Sequence, residues 1–451
     1  MRVRRVSLGT WITVLGLLAI VVATMTPSAG RGSDGPPWCM SCPLFTERAG
    51  VDLVLNVLLY VPIGVGLALL RRGPGHVAAI AAVIAAVIET LQVSVIPGRF
   101  ASLADVITNT SGALLGLAAA RHWRALFEPN PVRSRVFAAL AAIVALGVLH
   151  LTMWAQQEIP PPRTMSTLWR PAPSAGANGA ALENGTGSRI TYVTVAGRPH
   201  TGRARLTPNE IARLSGRSGY AVHMGFIAAA LPGDEEPAFE LRDGNGQRIL
   251  RVRQDGRHLA ADVATRAREL RLRTPSVRLR RFLPSRADRA ERSGLDTVHL
   301  EVRAAEGSLW LTARQRTSEA HGVHRRGAFA GWSLLISQSN SPARVRILTF
   351  CWVFILMLPL VYWAVLGLPS PRVRTPVRTN GRRVWRLGSP ALGLAAFLAV
   401  VLTLALEILP RANGMEPGGI TEGLAVVAAI ATGGFLAFRT AGRTRATAAP
   451  A

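Results

Sequence analysis

The sequence predicts a polytopic all-α membrane bundle of about eight transmembrane helices interrupted by an inserted all-β sandwich. Three observations carry this. Apolar runs of spanning length occur in two blocks, before residue 156 and after residue 342. Arginine clusters flank those runs on alternate sides, which is the positive-inside pattern. Between the blocks the long apolar runs stop and period-two alternation with turn residues takes over.

The spans come in order. Trp11 to Met25 follows "MRVRR" and fits either a first transmembrane helix with a cytoplasmic N-terminus or a signal peptide cut near Ala29. Both readings leave the next segment outside. Leu53 to Leu70 runs inward to Arg71 and Arg72, Val77 to Val95 returns, and Val106 to Ala120 runs in again to Arg121 and Arg124. Ser134 to Ala155 comes back out after "RHWRALFEPNPVRSR". Beyond the insert, Val345 to Leu368 ends at "PRVRTPVRTNGRRVWR", and Ala391 to Leu409 and Ile420 to Phe438 close the chain before the basic tail "RTAGRTR". The expected placement is a multi-pass protein of the cytoplasmic (inner) membrane, with both termini cytoplasmic and the large domain extracytoplasmic.

This gives three expected regions: 1–155 with five spans, 156–342 as an extracytoplasmic linker and sandwich, and 343–451 with three spans. In the insert, "RITYVTVA", "AFELRDGNGQRILRVRQDGRHL", "RELRLRTPSVRLRRF" and "DTVHLEVRAAEGSLWLTARQ" alternate at period two around Asp-Gly, Asn-Gly and Glu-Gly corners. Its leader "IPPPRTMSTLWRPAPSAGANGA" reads as a Pro- and Gly-rich linker. The insert has no cysteine, so its core alone must hold it.

The formal charge of +26 comes from 52 basic residues, all arginine, against 26 acidic ones. No finger, RNP-like or helix-turn-helix pattern accompanies it, so nucleic acid is not an expected partner and the bilayer is. Nor is there a Walker, Rossmann or Gly-x-Ser-x-Gly fingerprint, and no cofactor is expected. The histidines form no metal spacing; His321 and His324 are a weak pair expected on a solvated loop, and no metal site is assigned. Cys39 and Cys42 in "PPWCMSCP" fall in the first outer loop, where they suit a disulfide or half of a metal site. Cys351 lies inside a span and reads as packing.

The segment "ETLQVSVIPGRFASLADVITNT" puts ionisable groups between two spans, where each costs at least a few kcal/mol at membrane depth. Helical spacing explains how they meet. Asp52 and Asn56 share a face at the outer end of the second span; Glu89 and Gln92 close the third; Asp105 and Asn109 open the fourth. Arg99 sits on the short loop above them, and Gly112 and Gly116 continue the Asp105 face so that a neighbouring helix can approach. Two readings follow: a hydrogen-bonded clamp that fixes helix register, or a polar pocket open to the outer leaflet.

These residues carry a resemblance. "VDLVLNVLLYVPIGVGLALL" followed by "IETLQVSVIPGRFASLADVITNTSGALLG" resembles the VanZ-like family of bacterial integral membrane proteins. That family's pattern is an Asp and Asn before aromatic-x-Pro-x-Gly, a Glu-x-x-Gln, then an Arg, an Asp and an Asn-x-x-Gly. It is matched by Asp52, Asn56, Pro62, Gly64, Glu89, Gln92, Arg99, Asp105, Asn109 and Gly112, with Tyr60 where Phe is usual. The resemblance implies a role at the cell envelope, the family being associated with glycopeptide (teicoplanin) resistance. It fixes no mechanism, and whether the chain is an enzyme stays open. The leading expectation is binding of a polar headgroup or envelope component, such as cell-wall glycan or a lipid-linked precursor. The alternatives are an enzyme with Glu89 and Asp105 as acid and base, its catalytic residues otherwise unknown, or a purely structural cluster. In its strand rhythm and its "GWSLLIS" close the insert is similar to concanavalin-like or laminin-G-like sandwiches. A fainter internal echo aligns Glu407 with Glu89, Glu422 with Asp105 and Gly433 with Gly116, with no counterpart of Asn109.

Overall fold

The computed structural model describes residues 7–25, 49–95, 102–160, 162–169, 189–200, 202–214, 220–227, 237–283, 297–305, 308–316, 318–336, 341–368, 378–379, 382–383, 397–413, 415 and 417–446. Among these, seven helices are long and apolar enough to cross a membrane: α1 (Leu8–Met25), α2 (Ala49–Leu69), α3 (Pro74–Val95), α4 (Leu103–Arg121), α6 (Pro131–Gln156), α8 (Pro342–Leu366) and α10 (Ile420–Ala446, apolar over Ile420–Thr440). The eighth expected span is described from residue 397, as helix α9 (397–412), which widens into a π-turn over Leu404–Ile408. Two short helices, α5 (Trp123–Phe127) and α7 (Pro208–Leu214), complete the set.

The helices pack as two bundles. In the first, α2 lies against α4 and α1, and α3 against α4, around Ile20, Tyr60, Ile63, Val77, Ala81 and Leu117. In the second, α8 lies against α10 and α6 around Leu149, Met153, Met357, Leu360 and Ala429. Small residues set the first bundle's spacing: Gly9 and Gly66 let α1 and α2 meet backbone to backbone, and a Cβ on Gly66 would stand 2.2 Å from Thr13 Oγ1. Pro62 and Pro359 lie within α2 and α8, each taking one donor out of its helix ladder. Large apolar side chains on the outer faces, such as Leu58, Val83, Ile107 and Ile143, are exposed as lipid contact requires. Cys351 is among the exposed positions of α8, so it faces outward and does not pack in the bundle.

The insert is two six-stranded antiparallel sheets, ordered β4-β1-β6-β7-β8-β9 and β12-β11-β10-β5-β2-β3. The first holds β1 (Met165–Trp169), β4 (Ala204–Arg205), β6 (Pro237–Asp243), β7 (Arg248–Asp255), β8 (His258–Val263) and β9 (Ser276–Leu279). The second holds β2 (Arg189–Val195), β3 (Arg198–His200), β5 (Tyr220–Ile227), β10 (Val298–Ala305), β11 (Ser308–Gln315) and β12 (Ser318–Arg325). Alternate residues such as Val193, Phe226, Phe239, Leu250, Val302 and Leu311 fill one continuous core between the sheets. The β6–β7 corner works as its Asp-Gly-Asn-Gly string predicts: Asp243 Oδ1 accepts from Asn245 N (2.9 Å) and Gln247 N (2.7 Å), and Gly246 takes φ +76°. This two-sheet insert is consistent with a concanavalin-like domain.

Three details differ from expectation. The leader is not only a linker, because Met165–Trp169 is β1, an interior strand paired with β6 and β4, with Met165 and Trp169 in the core. The alternation in "RELRLRTPSVRLRRF" yields a strand only over Ser276–Leu279; residues 266–274 form a 3₁₀ turn and connection, since Pro275 cannot continue a ladder into them. His324 is not solvated: it lies buried on β12, while His321 on the same strand is exposed.

The sandwich sits on one end of both bundles. Residues 266–274 reach the first: Gly50 N, at the start of α2, donates to Arg271 O (3.2 Å), and a Cβ on Gly50 would stand 2.1 Å from Leu270 O. The second is held by a latch in which Gln156 exchanges two hydrogen bonds with the Gly327 backbone (3.0 and 3.1 Å) and buried Arg326 pairs with Glu158. The 3₁₀ segment Ala328–Leu334 then wedges in, its Trp332 Nε1 donating to Thr349 Oγ1 of α8 (3.1 Å). Arg71, Arg72, Arg121 and Arg124 lie at the opposite end, where Arg121 donates to Arg72 O (3.2 Å).

Candidate functional site

Three helix ends of the first bundle meet beneath the sandwich. α2 and α4 run parallel and approach until backbone touches backbone. A Cβ on Gly64 would stand 1.8 Å from Ala113 O, one on Gly112 2.1 Å from Val57 O, and one on Gly116 2.1 Å from Val61 O. Any side chain at these positions would hold the helices apart; Gly112 and Gly116, expected to allow an approach, lie at the crossing, and Gly64 faces them from α2.

That approach brings the polar residues together. Asn56 Nδ2 donates to Asp105 Oδ1 across the α2–α4 seam (2.8 Å). Ser102 caps α4, its Oγ accepting from Asp105 N (3.3 Å). Glu89, buried in the last two turns of α3, accepts from Ser102 N through Oε2 (3.1 Å) and so meets one of the orphan donors of the α4 terminus. Gln92, one turn on, turns away from this set and donates to Thr24 O of α1 (2.9 Å), tying α3 to α1. Asp52 stands exposed in the first turn of α2. Pro62 is half-buried within the crossing region, between Val61 and Gly64, and a Cβ on Gly16 of α1 would stand 3.2 Å from its Cβ. Arg99, Cys39 and Cys42 lie outside the described residues.

Below the bonded layer lie two buried groups with no partner among the described residues. Asn109, one turn down α4 from Asp105, is buried and its Oδ1 has no hydrogen-bond partner among the described residues. Tyr60, one turn down α2 from Asn56, buries a phenol hydroxyl that likewise has none, within electrostatic reach of Glu89. A buried acceptor and a buried hydroxyl without such partners are costly to leave unmet. Tyr60 enters the sequence pattern only as an aromatic; its spacing of four from Asn56 was the available signal. Ser102 was also legible, as the Ser of a Ser-x-x-Asp helix start.

The second bundle repeats the packing without the cluster. Gly433 brings α10 against α8, where a Cβ would meet Tyr362 N at 3.1 Å, as Gly116 does for α4 on α2. Glu422 Oε2 accepts from Gly419 N at the start of α10 (3.0 Å), an acidic cap like that at α4. Glu407 is spent on a largely exposed ion pair with Arg411 (2.8 Å). Among the described residues, no group of three or more His, Cys, Asp or Glu could hold a metal ion.

No curated protein and no solved structure matches the chain significantly. The family model VanZ/LLP1 matches residues 11–128, from within α1 through α5. The four-helix unit that carries Asn56, Glu89, Asp105 and Asn109 is therefore VanZ-like, in a multi-pass membrane protein with an inserted two-sheet domain.

Proposed function

We propose that this protein binds a polar headgroup or envelope component at the cluster formed by α2, α3 and α4. In this reading the sandwich end faces outward, because the arginine clusters gather at the other end. The observation that carries the proposal is a pair of buried groups without a hydrogen-bond partner among the described residues, Asn109 Oδ1 and the Tyr60 hydroxyl, lying under a bonded polar layer. A headgroup offering one donor and one acceptor would complete them. The association of VanZ-like proteins with glycopeptide resistance fits an envelope ligand.

A second reading is favoured by the bonds themselves. Asn56–Asp105 and Glu89–Ser102 tie three helices together, and a clamp needs no ligand. Both carboxylates accept hydrogen bonds from structural partners, so an acid-base role for them has no specific support. The two readings separate on Asn109→Ala and Tyr60→Phe, which remove the spare groups and none of these bonds. Native mass spectrometry of protein released from membranes should show less retained lipid or precursor for both variants, with thermal unfolding changed by no more than about 1 kcal/mol. Unchanged retention in both variants would leave only the clamp.

A further inference from the structure

The first sheet of the sandwich carries a concavity of about 180 Å³ on its outer face, beside the connection 266–274. A single water needs roughly 10–15 Å³ by a comparable measure, so there is room for a polyatomic ligand. The register shows how it is built. Arg253 on β7 lies opposite Ala260 on β8, which lies opposite Arg278 on β9; in the next row Arg251, Asp262 and Ser276 stand side by side. Ala260 and Ser276 thus make a low floor between longer arginine walls. Arg268 and Arg273 close the side nearest the bundle and are pinned through backbone oxygens, Arg268 Nη1 to Arg248 O (3.0 Å) and Arg273 Nε to Leu335 O (3.1 Å). Six arginines line the cavity among the described residues, against one lining carboxylate, Asp262, while Arg248 also pairs with Glu240 behind the wall (3.7 Å). Arg251 and Arg253 converge on a single oxygen of that carboxylate, at 2.9 and 3.3 Å.

From this we infer that the cavity is an anion site for a phosphate group, separate from the cluster in the membrane and independent of it. Several guanidiniums held around a small-residue floor, partly shielded from water, focus positive potential and present forked donors that match tetrahedral oxyanions. The cavity's near wall is the same connection whose Leu270 and Arg271 dock on the start of α2, so an anion bound there lies beside the bundle end. A phosphate there could come from an anionic lipid headgroup or from free phosphate.

The test uses the full chain in a non-ionic detergent and isothermal titration with three probes: inorganic phosphate, dihexanoyl phosphatidylglycerol and net-neutral dihexanoyl phosphatidylcholine. Saturable binding of phosphate, of phosphatidylglycerol or of both, in preference to phosphatidylcholine, is expected. Phosphatidylglycerol alone identifies a lipid source, and inorganic phosphate binding equally well identifies the free ion. Arg278→Gln should weaken binding about tenfold, the loss of one charge-assisted contact. Asp262→Asn, which removes the lining carboxylate, should tighten it roughly threefold or more. This gain cannot come from misfolding. The inference is overturned if neither anion binds, if phosphatidylcholine binds as well, or if Asp262→Asn fails to tighten binding.

Discussion

Replacing Gly112 with Ala tests how the α2–α4 seam holds the polar layer. The added Cβ would stand 2.1 Å from Val57 O, where ordinary contact begins near 3.4 Å. The obstructing atom is a backbone carbonyl, so no rotamer change relieves it, and the helices must part by about an ångström. Such overpacking costs about 1–3 kcal/mol. The Asn56–Asp105 hydrogen bond, now 2.8 Å, spans the same seam and would be stretched or lost, adding about 0.6 kcal/mol by the average for bonds between membrane helices. Alanine's better helix propensity returns up to about 1 kcal/mol. The net expectation is a loss of about 1–3 kcal/mol. Gly147 on α6 is the control: nothing lies within 4 Å of its added Cβ, so Gly147→Ala should be neutral or stabilising by up to about 1 kcal/mol. Tryptophan fluorescence during denaturant unfolding in detergent reads both. Equal stability of the two variants would refute a backbone-contact seam at Gly112.

Glu89→Gln keeps an acceptor for Ser102 N and should cost under about 1 kcal/mol, whereas Glu89→Ala leaves that donor unmet and should cost about 1–3 kcal/mol in the same unfolding assay. Arg326→Met strands Glu158 and Gln156 O beneath the sandwich. Because Glu158 is about a quarter exposed, the loss should sit at the low end of the buried-pair range, about 3 kcal/mol, and faster proteolysis in the stretch after Glu158 would report it. His324 is held neutral down to about pH 3, first by burial and then by the neighbouring Arg326 charge. Its folded pKa lies below its unfolded value of about 6.5, so the unfolded chain binds the extra proton. Sandwich stability should therefore fall as pH drops below about 6.5, by up to about 1.4 kcal/mol per unit, and His324→Gln should flatten that slope in thermal melts taken between pH 7.5 and 5.

The spans were legible because lipid demands long apolar runs, and each of the seven spanning helices begins within about four residues of its expected start. The polar seam was legible for a different reason: spacings of three and four fix which residues share a face, and Asn56, Glu89 and Asp105 do meet at one end of the bundle. What spacing could not give was each residue's partner. Gln92 shares the Glu89 face yet turns to Thr24, because α1 passes there. Met165–Trp169 was hidden by the prolines and glycines around it, and its strand exists through pairing with β6 and β4, which are distant in sequence. The alternating arginines of 268–273 looked like a strand, but the segment turns against α2 and α6, a tertiary demand that local pattern does not contain. His324 was misread for a similar reason: two residues along β12 from Gly322, which meets Val277 and Leu279 of β9, it shares the strand face turned to the other sheet.

The 266–274 connection makes the sandwich a crossbeam. It bears on the start of α2, and its Arg266 N also bonds Gln157 O at the end of α6, so one segment spans the heads of both helix groups. At the far end α5 does the complementary work, its carbonyls at Leu126 and Phe127 receiving Trp363 and Tyr362 of α8. Load applied to the sandwich is therefore shared between the two bundles, and a tilt of that domain would lever their upper ends while α5 served as the fulcrum.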